Sequence, residues 1–478
     1  MRKEKIAADK SASTSASSSA SRRKFLKNVG SAVTVLSASS FTSMAMQEKL
    51  ETRILTANKT ISSNDKVRVG VIGMGIIGFR NIKTMLTIPG VELAACCDLY
   101  DGRLQHAKEL FGNHIYTTRN YQELLNRKDI DAIIVCTSDN WHNKISIDAM
   151  RMGKAVYCEK PMVHKIEQGL EVIKVQQDTK AIMQVGSQRV SSIAYAKAKE
   201  LIAAGEIGEL NCIEATFDRQ SALGAWQYTM PTDANESNID WKGYVGNKAV
   251  PFDPKKFFWW RNYREFGTGM AGDLFVHLLS GLHFITDSNG PDTVAATGDL
   301  VYWKDGRNVP DVMTSVLHYP KTKNHNSFQL MLRANFVSGE NEKMVTRYIG
   351  SEGVLEFGWY DFTIRHSKMP VAKGIGGWDA LDTYTTKMQQ ELLNDYDKKY
   401  SEADKKVNNA KAYSYAAPDG YSDSRDHFIN FFESVRLGKP VVEDAKFGFR
   451  AAAASLACNE SYYQKKIIKW DADEMKLK

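Results

Sequence analysis

The sequence predicts an α/β protein in which a doubly wound parallel sheet is followed by a second α/β domain built on a large, mostly antiparallel sheet. Three observations predict it. Short apolar runs alternate with helix-length intervals from residue 67 to 187, a glycine-rich turn follows the first run, and beyond residue 188 strand-like runs follow one another with little helix between them.

Val67 to Ile72 is an apolar run of buried-strand length, and Gly73-Met74-Gly75-Ile76-Ile77-Gly78 follows it directly. In this G-x-G-x-x-G pattern Gly73 permits the tight turn, Gly75 lets the backbone approach a pyrophosphate, and Gly78 lets the next helix pack on its strand. The helix N-terminus then points free N–H groups at the phosphates. A second apolar run, Val91 to Cys97, ends at Asp98, twenty residues past Gly78. There a carboxylate accepts hydrogen bonds from a ribose 2′-OH and repels a 2′-phosphate, so the expected cofactor is NAD, on a Rossmann fold.

The alternation continues with helix near Gln105 to Phe111, strand near Ile115, helix near Tyr121 to Asn126, strand Ala132 to Cys136, helix Lys144 to Met152 and strand Ala155 to Cys158. A last strand, Ala181 to Val185, runs into Gly186-Ser187-Gln188-Arg189, which places a domain boundary between 67–187 and 188–478. Helix Ala194 to Ala204 opens the second domain. Strands are expected at Leu210 to Phe217, Thr293 to Trp303, Val312 to His318, Phe328 to Phe336 and Thr346 to Phe357, with helix around Ala271 to Ile285. Polar, lysine-rich residues 375 to 424 read as an excursion or an extra helical segment.

The formal charge of +7 on 478 residues sits at one end. Residues 1 to 30 carry eight Lys/Arg against two Asp/Glu, residues 31 to 66 add one more positive charge, and the remainder is neutral. No basic stripe interleaved with aromatics is left to suggest nucleic acid. The leader itself reads Ser21-Arg22-Arg23-Lys24-Phe25-Leu26-Lys27, then a weakly apolar stretch from Val29 to Phe41 and a small-residue site at Ser43-Met44-Ala45. It resembles a twin-arginine signal over residues 1–45, with residues 46–66 as linker. The resemblance implies export of a folded protein to the periplasm by the twin-arginine machinery. The apolar stretch is too short to span a bilayer, so no stable membrane anchor is expected. The cysteines fit this: Cys96, Cys97, Cys136 and Cys158 fall on buried strands or their ends, adjacent Cys96 and Cys97 point to opposite sheet faces, and no C-x-x-C spacing occurs. These four, with Cys212 and Cys458, read as small apolar residues and not as disulfides or zinc ligands.

Ligands of open parallel sheets gather at the carboxyl ends of strands, and there the fifth strand ends in Cys158-Glu159-Lys160-Pro161. Lys160 is thus aimed at the nicotinamide side, although a lysine at a strand end is ordinarily just solvated. Thr137, Asn140, Trp141 and His142 follow strand four at the same edge and are expected, with Glu159, to border the cofactor. In Gly267-Thr268-Gly269-Met270-Ala271-Gly272-Asp273-Leu274-Phe275-Val276-His277, glycines open a helix, and Asp273 and His277 stand four residues apart on one face. A metal held by this pair with His283 is a second reading, weakened by the missing H-E-x-x-H spacing and by the charge of Lys160; no metal is expected. Aromatic faces with polar tips suit sugar rings, which makes Trp260, Arg261 and Tyr263, in the run Phe257 to Tyr263, candidate substrate contacts, together with Arg189.

Together these motifs resemble the glucose-fructose oxidoreductase, inositol dehydrogenase and rhizopine catabolism protein family over residues 67 to 470. The resemblance rests on Gly73 to Gly78 with Asp98, on His142, on Gly153-Lys154-Ala155-Val156 leading to Glu159-Lys160-Pro161, and on the glycine-led Asp273-x-x-x-His277. It implies that Lys160, Asp273 and His277 meet beside the nicotinamide, and that the open sheet of the second domain assists assembly into a homo-oligomer, a dimer or tetramer. The family's double glycine appears here as Gly267-Thr268-Gly269.

The expected chemistry is oxidation of a secondary hydroxyl of a sugar or glycoside. It needs a base within about 2.6 to 3.2 Å of the hydroxyl. His277 is the candidate, with Lys160 hydrogen-bonding the same oxygen and Asp273 orienting the substrate or its neighbours. Lys160 is the alternative base, since desolvation beside a cationic nicotinamide lowers a lysine pKa. Export implies a tightly bound NAD, because free NAD is not dependably supplied outside the inner membrane. Glycoside cleavage by transient oxidation is the competing enzymatic reading, and a noncatalytic sugar-binding protein is the other.

Overall fold

The structure, a computed structural model, describes residues 66–407 and 410–478. The basic leader, the twin-arginine motif and the linker up to residue 65 lie outside the described residues.

The first domain is the expected parallel sheet. Its strands are β1 (Val67–Ile72), β2 (Val91–Cys97), β3 (Tyr116–Thr118), β4 (Ala132–Val135), β5 (Ala155–Cys158) and β6 (Met183–Val185), in the order β3-β2-β1-β4-β5-β6. Every pair is parallel. The connecting helices are α1 (Ile76–Met85), α2 (Asp101–Phe111), α3 (Tyr121–Asn126), α4 (His142–Arg151) and α5 (Gly169–Thr179). Strand order reverses between β1 and β4, so their carboxyl ends flank the crevice where ligands of such sheets bind. Both faces of the sheet are covered, which is why β4 is a continuous apolar run and β1 is apolar apart from Arg68 near its start. Cys96 and Cys97 enter separate cores on opposite faces. All six cysteines are free thiols, and burial pushes those of Cys96, Cys158 and Cys458 up to about 12.

The second domain carries β7 (Leu210–Asp218), β8 (Thr293–Asp299), β9 (Val312–Tyr319), β10 (Phe328–Asn335), β11 (Lys343–Gly350), β12 (Gly353–Phe357), β13 (Asp361–His366), β14 (Tyr413–Ala416), β15 (Ile468–Asp471) and β16 (Lys476–Leu477). They form one ten-stranded sheet in which β7 and β10 are parallel and the other pairs antiparallel. Its helices are α6 (Ile193–Ala203), α7 (Trp241–Val245), α8 (Pro254–Phe258), α9 (Val276–Thr286), α10 (Thr386–Lys399), α11 (Asp423–Leu437) and α12 (Ala445–Gln464).

Several boundaries differ from the sequence pattern for local reasons. The strand expected to run to Trp303 stops at Asp299, because the N–H groups of Val301, Tyr302 and Trp303 turn onto the Asp311 carboxylate at 2.7 to 2.8 Å. The single run from Thr346 to Phe357 is a hairpin of β11 and β12 turning at Ser351-Glu352. The excursion contains α10 and β14. Helices α11 and α12 carried no separate expectation, and both matter for the core. Phe428, Phe431 and Phe432 of α11 pack in one cluster with Val67, Val69 and Val71, so a helix from the end of the chain covers one face of the parallel sheet. Helix α12 packs on α9 and β8, with Ala451 to Ala454 fully buried.

No helix among the described residues is long and apolar enough to cross a membrane.

Candidate active site

A groove of about 450 Å³ crosses the carboxyl ends of β1, β2 and β4, and both domains line it. From the first domain come Gly73, Gly75, Ile76, Ile77, Asp98, Thr137 and Trp141; from the second come Tyr228, Tyr244, Phe258, Trp260 and Arg261, among others. The glycine turn has the shape a pyrophosphate needs. Gly73 has φ +96°, and a Cβ there would lie 2.5 Å from the Cys136 carbonyl; at Gly78 it would lie 2.1 Å from the Gly73 oxygen. At Gly75 it would meet nothing within 4 Å, which leaves open space directly over the N-terminus of α1. That helix has no side-chain cap and no acid in its first turn, so its N–H groups are free for phosphate oxygens. A bound NAD fits these features, with Gly73 to Gly78 at the pyrophosphate and Asp98 at the ribose.

Asp98 does more than face a ribose. Its Oδ2 accepts the Met74 N–H at 2.7 Å and its Oδ1 accepts the Tyr100 N–H at 2.9 Å, with Arg103 Nη1 at 3.4 Å. The acid thereby ties the glycine turn to the end of β2. Met74 itself is buried beneath the turn.

Strand β5 delivers Lys160, followed by a cis Lys160–Pro161 bond. Lys160 Nζ donates to Asp273 Oδ1 at 2.9 Å and to the Asp273 carbonyl at 3.0 Å, across 113 residues of sequence. Arg261, which lines the groove, donates from Nε to the same Oδ1 at 3.1 Å. Burial alone would raise the Asp273 carboxyl; the charges of Lys160 and Arg261 overcome it and hold the group ionised, well below the usual carboxylate range. Burial would weaken the Arg261 charge, and Asp273 more than restores it. The sequence names Arg261 for substrate, but only the fold makes it the second counter-ion of Asp273.

Asp273 lies in a π-helical turn, Ala271–Phe275, that runs into α9, where regular α-helix was expected. Such wide turns concentrate at functional sites. His277 follows one turn later, half-buried, with Nδ1 enclosed and without a hydrogen-bond partner among the described residues. Burial first, then the nearby charges of Lys160 and Arg189, hold the ring well below the ordinary histidine range and so keep it neutral. His283 is elsewhere, bonded through Nε2 to Tyr319 OH at 2.9 Å in the core. Among the described residues no group of three His, Cys, Asp or Glu could hold a metal ion.

The turn before the π segment is clamped by the first domain. Asp139 Oδ2 accepts both the N–H and the hydroxyl of Thr268, at 2.9 and 2.7 Å, and Asn459 of α12 donates to the Thr268 carbonyl at 2.7 Å. Thr268 is therefore a tie between domains. No short-range signal marks Asp139 as its partner.

Of His142, Glu159, Asn140, Trp141, Arg189 and Tyr263, only Trp141 lines the groove. His142 is buried with Nδ1 2.7 Å from the Pro161 carbonyl and Nε2 3.1 Å from that of Thr137, so it braces the two strand ends. Glu159 points away, accepting from Asn81 of α1 at 2.7 Å, and burial raises its pKa. Asn140 is held against Ser138 at 2.8 Å, outside the groove lining. Trp141 donates from Nε1 to the Tyr244 carbonyl at 2.9 Å. Arg189 is buried beside Asp423 at 3.5 Å and stacked on Trp359 at 4.5 Å, which satisfies its charge inside the protein. Tyr263 is buried in an aromatic cluster with Tyr100, Tyr244 and Phe257. Tyr228, Arg103, Arg119 and Asp240 line the groove without having been singled out in the sequence.

Residues 67–187 match the family model described as oxidoreductase family, NAD-binding Rossmann fold (GFO_IDH_MocA). The chain is 31% identical to inositol 2-dehydrogenase of Salmonella typhimurium over 145 residues, which are 30% of this chain and 43% of that protein. It is 32% identical to glycosyl hydrolase family 109 protein 1 of a Shewanella species over 163 residues, 32% of this chain and 35% of that one. The chain thus spans less than half the length of these curated relatives. Among solved structures, aldose-aldose oxidoreductase from Caulobacter crescentus superposes with a TM-score of 0.58 at 15% identity, over 84% of this chain and 99% of that one, so the fold of both domains is shared.

Proposed function

We propose that this chain, whose residues 67–187 are a NAD-binding Rossmann domain of the Gfo/Idh/MocA oxidoreductase family, oxidises a secondary hydroxyl of a sugar or glycoside with a tightly held NAD in the periplasm. The observation that carries the chemistry is the meeting of Lys160 and Asp273 at 2.9 Å, with Arg261 bridging from that pair to the dinucleotide groove. Bound NAD supplies a two-electron acceptor that can be returned to its starting state.

The side chains divide the remaining tasks. Asp273 spends Oδ1 on Lys160 and Arg261 and fixes both cations. An ammonium has three N–H donors, and Asp273 takes two of those on Lys160; the third is left for a substrate oxygen. His277 is neutral and half-buried, with Nδ1 enclosed, so Nε2 is the ring nitrogen through which it would accept the hydroxyl proton while Lys160 stabilises the developing negative charge. Trp260 and Arg261 both line the groove, where the guanidinium, stacked 4.2 Å from the Trp260 ring, offers further donors to a substrate. Arg189, already paired, acts through the field it imposes on His277.

The twin-arginine-like leader supports export, and export supports a resident cofactor. Such an enzyme balances each oxidation by reducing a second molecule, or the same one after epimerisation or elimination. The test is to denature the purified protein, count released NAD, and then follow the near-ultraviolet band of reduced nicotinamide while sugars and aryl glycosides are added to intact enzyme. About one NAD per chain and sugar-dependent reduction are expected. Release of free aglycone from the aryl glycoside without net redox change would move the reading to glycoside cleavage, the activity in the name of one relative. No response to any sugar from a NAD-loaded protein would leave a noncatalytic sugar-binding role and overturn the proposal.

A further inference from the structure

Residues 228–266 leave the second domain between β7 and the π-helical turn and form one wall of the dinucleotide groove, yet no part of the fingerprint accounts for them. They are fastened to the loop immediately after Asp98. Tyr100 and Ile239 form an antiparallel bridge, flanked by Asp240 N–H to the Leu99 carbonyl at 2.8 Å and Asp101 N–H to the Asn238 carbonyl at 3.0 Å. Tyr100 OH donates to Asp233 at 2.6 Å, and the Tyr100 ring meets Phe258 edge-on at 5.5 Å inside a closed aromatic cluster. At the far side Trp141 Nε1 donates to the Tyr244 carbonyl at 2.9 Å. Arg103, beside Asp98, lies against the rings of Phe257 and Phe258 at 5.5 and 5.2 Å. The groove is therefore lined by Asp98 and Arg103 from the first domain and by Asp240, Tyr244 and Phe258 from residues 228–266.

We infer that residues 228–266 are a strap over the adenosine half of the groove, which turns NAD from an exchangeable cosubstrate into a resident group. The inference rests on the NAD reading above and specifies what holds the nucleotide in place. A dinucleotide held in the groove between Asp98 and the strap residues Tyr244 and Phe258 would leave only when the Tyr100–Ile239 bridge and the Asp233 and Tyr244 latches open together. Because the latch residues adjoin the ribose-binding acid, adenosine contacts and strap closure stabilise each other: loss of one raises the rate of loss of the other.

The test measures nucleotide exchange and needs no substrate. Protein carrying its own NAD is mixed with excess isotopically labelled NAD, and the bound fraction is identified by mass spectrometry over time. Wild type is expected to exchange slowly. Tyr100→Phe combined with Asp233→Ala removes a charge-assisted hydrogen bond and should speed exchange by about tenfold or more. A second variant guards against misfolding: Tyr100→Cys with Ile239→Cys places two thiols at a narrow, non-hydrogen-bonded pair where a disulfide is geometrically suited. Its oxidised form should hold the original NAD, and reduction of the same sample should release it. Equal exchange in oxidised and reduced forms, or free exchange in wild type, would overturn the strap. Failure to oxidise any sugar would leave the exchange result untouched, and equal exchange in the oxidised and reduced forms would remove the strap while leaving the oxidation itself standing; only free exchange in wild type would also remove the tight hold on NAD.

Discussion

Alanine at Gly73 and at Gly75 should have opposite effects on stability, and the Gly75 change should weaken NAD binding without weakening the fold. Gly73 sits at φ +96°, and its added Cβ would be 2.5 Å from the Cys136 carbonyl carbon and oxygen and 2.7 Å from the Thr137 nitrogen. An L-residue there carries about 1–2 kcal/mol of backbone strain, and the forced contact adds about 1–3 kcal/mol. Gly73→Ala is thus expected to destabilise nucleotide-free protein by roughly 2–5 kcal/mol. Gly75 sits at φ −79° and ψ −166°, which alanine adopts freely, and its Cβ would touch nothing within 4 Å. Gly75→Ala should stabilise the same nucleotide-free protein by about 0.4–1 kcal/mol, through the unfolded chain. The methyl group would then stand where the pyrophosphate must come closest, at a cost of about 1–3 kcal/mol in binding, or roughly 5- to 150-fold in Kd. Urea unfolding of stripped protein followed by tryptophan fluorescence gives the first quantity, and calorimetric titration with NAD gives the second. The reasoning is refuted if Gly75→Ala binds NAD as tightly as wild type, or if it is destabilised like Gly73→Ala.

Three further outcomes are expected. Lys160→Met should reduce sugar-dependent reduction of bound NAD by at least about 10³-fold while leaving the nucleotide in place; near-normal turnover would remove Lys160 from the mechanism. Thr268→Val strips the buried Asp139 carboxylate of its hydroxyl donor and should cost about 1.5–3 kcal/mol in urea unfolding, with Thr268→Ser restoring most of it; equal stability of the valine variant would show that the tie is idle. His427 is buried, with Nε2 2.8 Å from the Val185 carbonyl and Nδ1 2.8 Å from Ser191 Oγ, and burial pulls its pKa from 6.5 to about 4. The unfolded chain binds that proton first, so this stability is present above about pH 6.5 and is lost as pH falls toward 4, by up to about 3 kcal/mol. His427→Gln should flatten the slope of unfolding free energy across that window; an unchanged slope would assign the acid sensitivity to other groups.

The NAD-binding half of the protein was legible in the sequence because its signals are local. Val67 to Gly78 places a strand, a turn and a helix start within a few residues of one another, and the Asp98 carboxylate sits at the end of the next strand. The alternation of strands and helices up to Val185 is equally short-ranged, and so are the chemical identities of Lys160, Asp273 and His277. Tertiary structure decided what those groups touch. Arg261 shares Asp273 with Lys160, Asp139 holds Thr268 from 129 residues away, and His142 braces Pro161 against Thr137. Helix α11 covers the parallel sheet with Phe428, Phe431 and Phe432, although nothing in its own period says which sheet it serves. The strap over the groove is likewise a pairing of Tyr100 with Ile239 and Asp233 that no spacing along the chain encodes. The physical reason is the same in each case: periodicity and turn chemistry act over a few residues, whereas an ion pair or hydrogen bond between distant residues exists only after burial has brought them together and removed the water that would otherwise satisfy each separately.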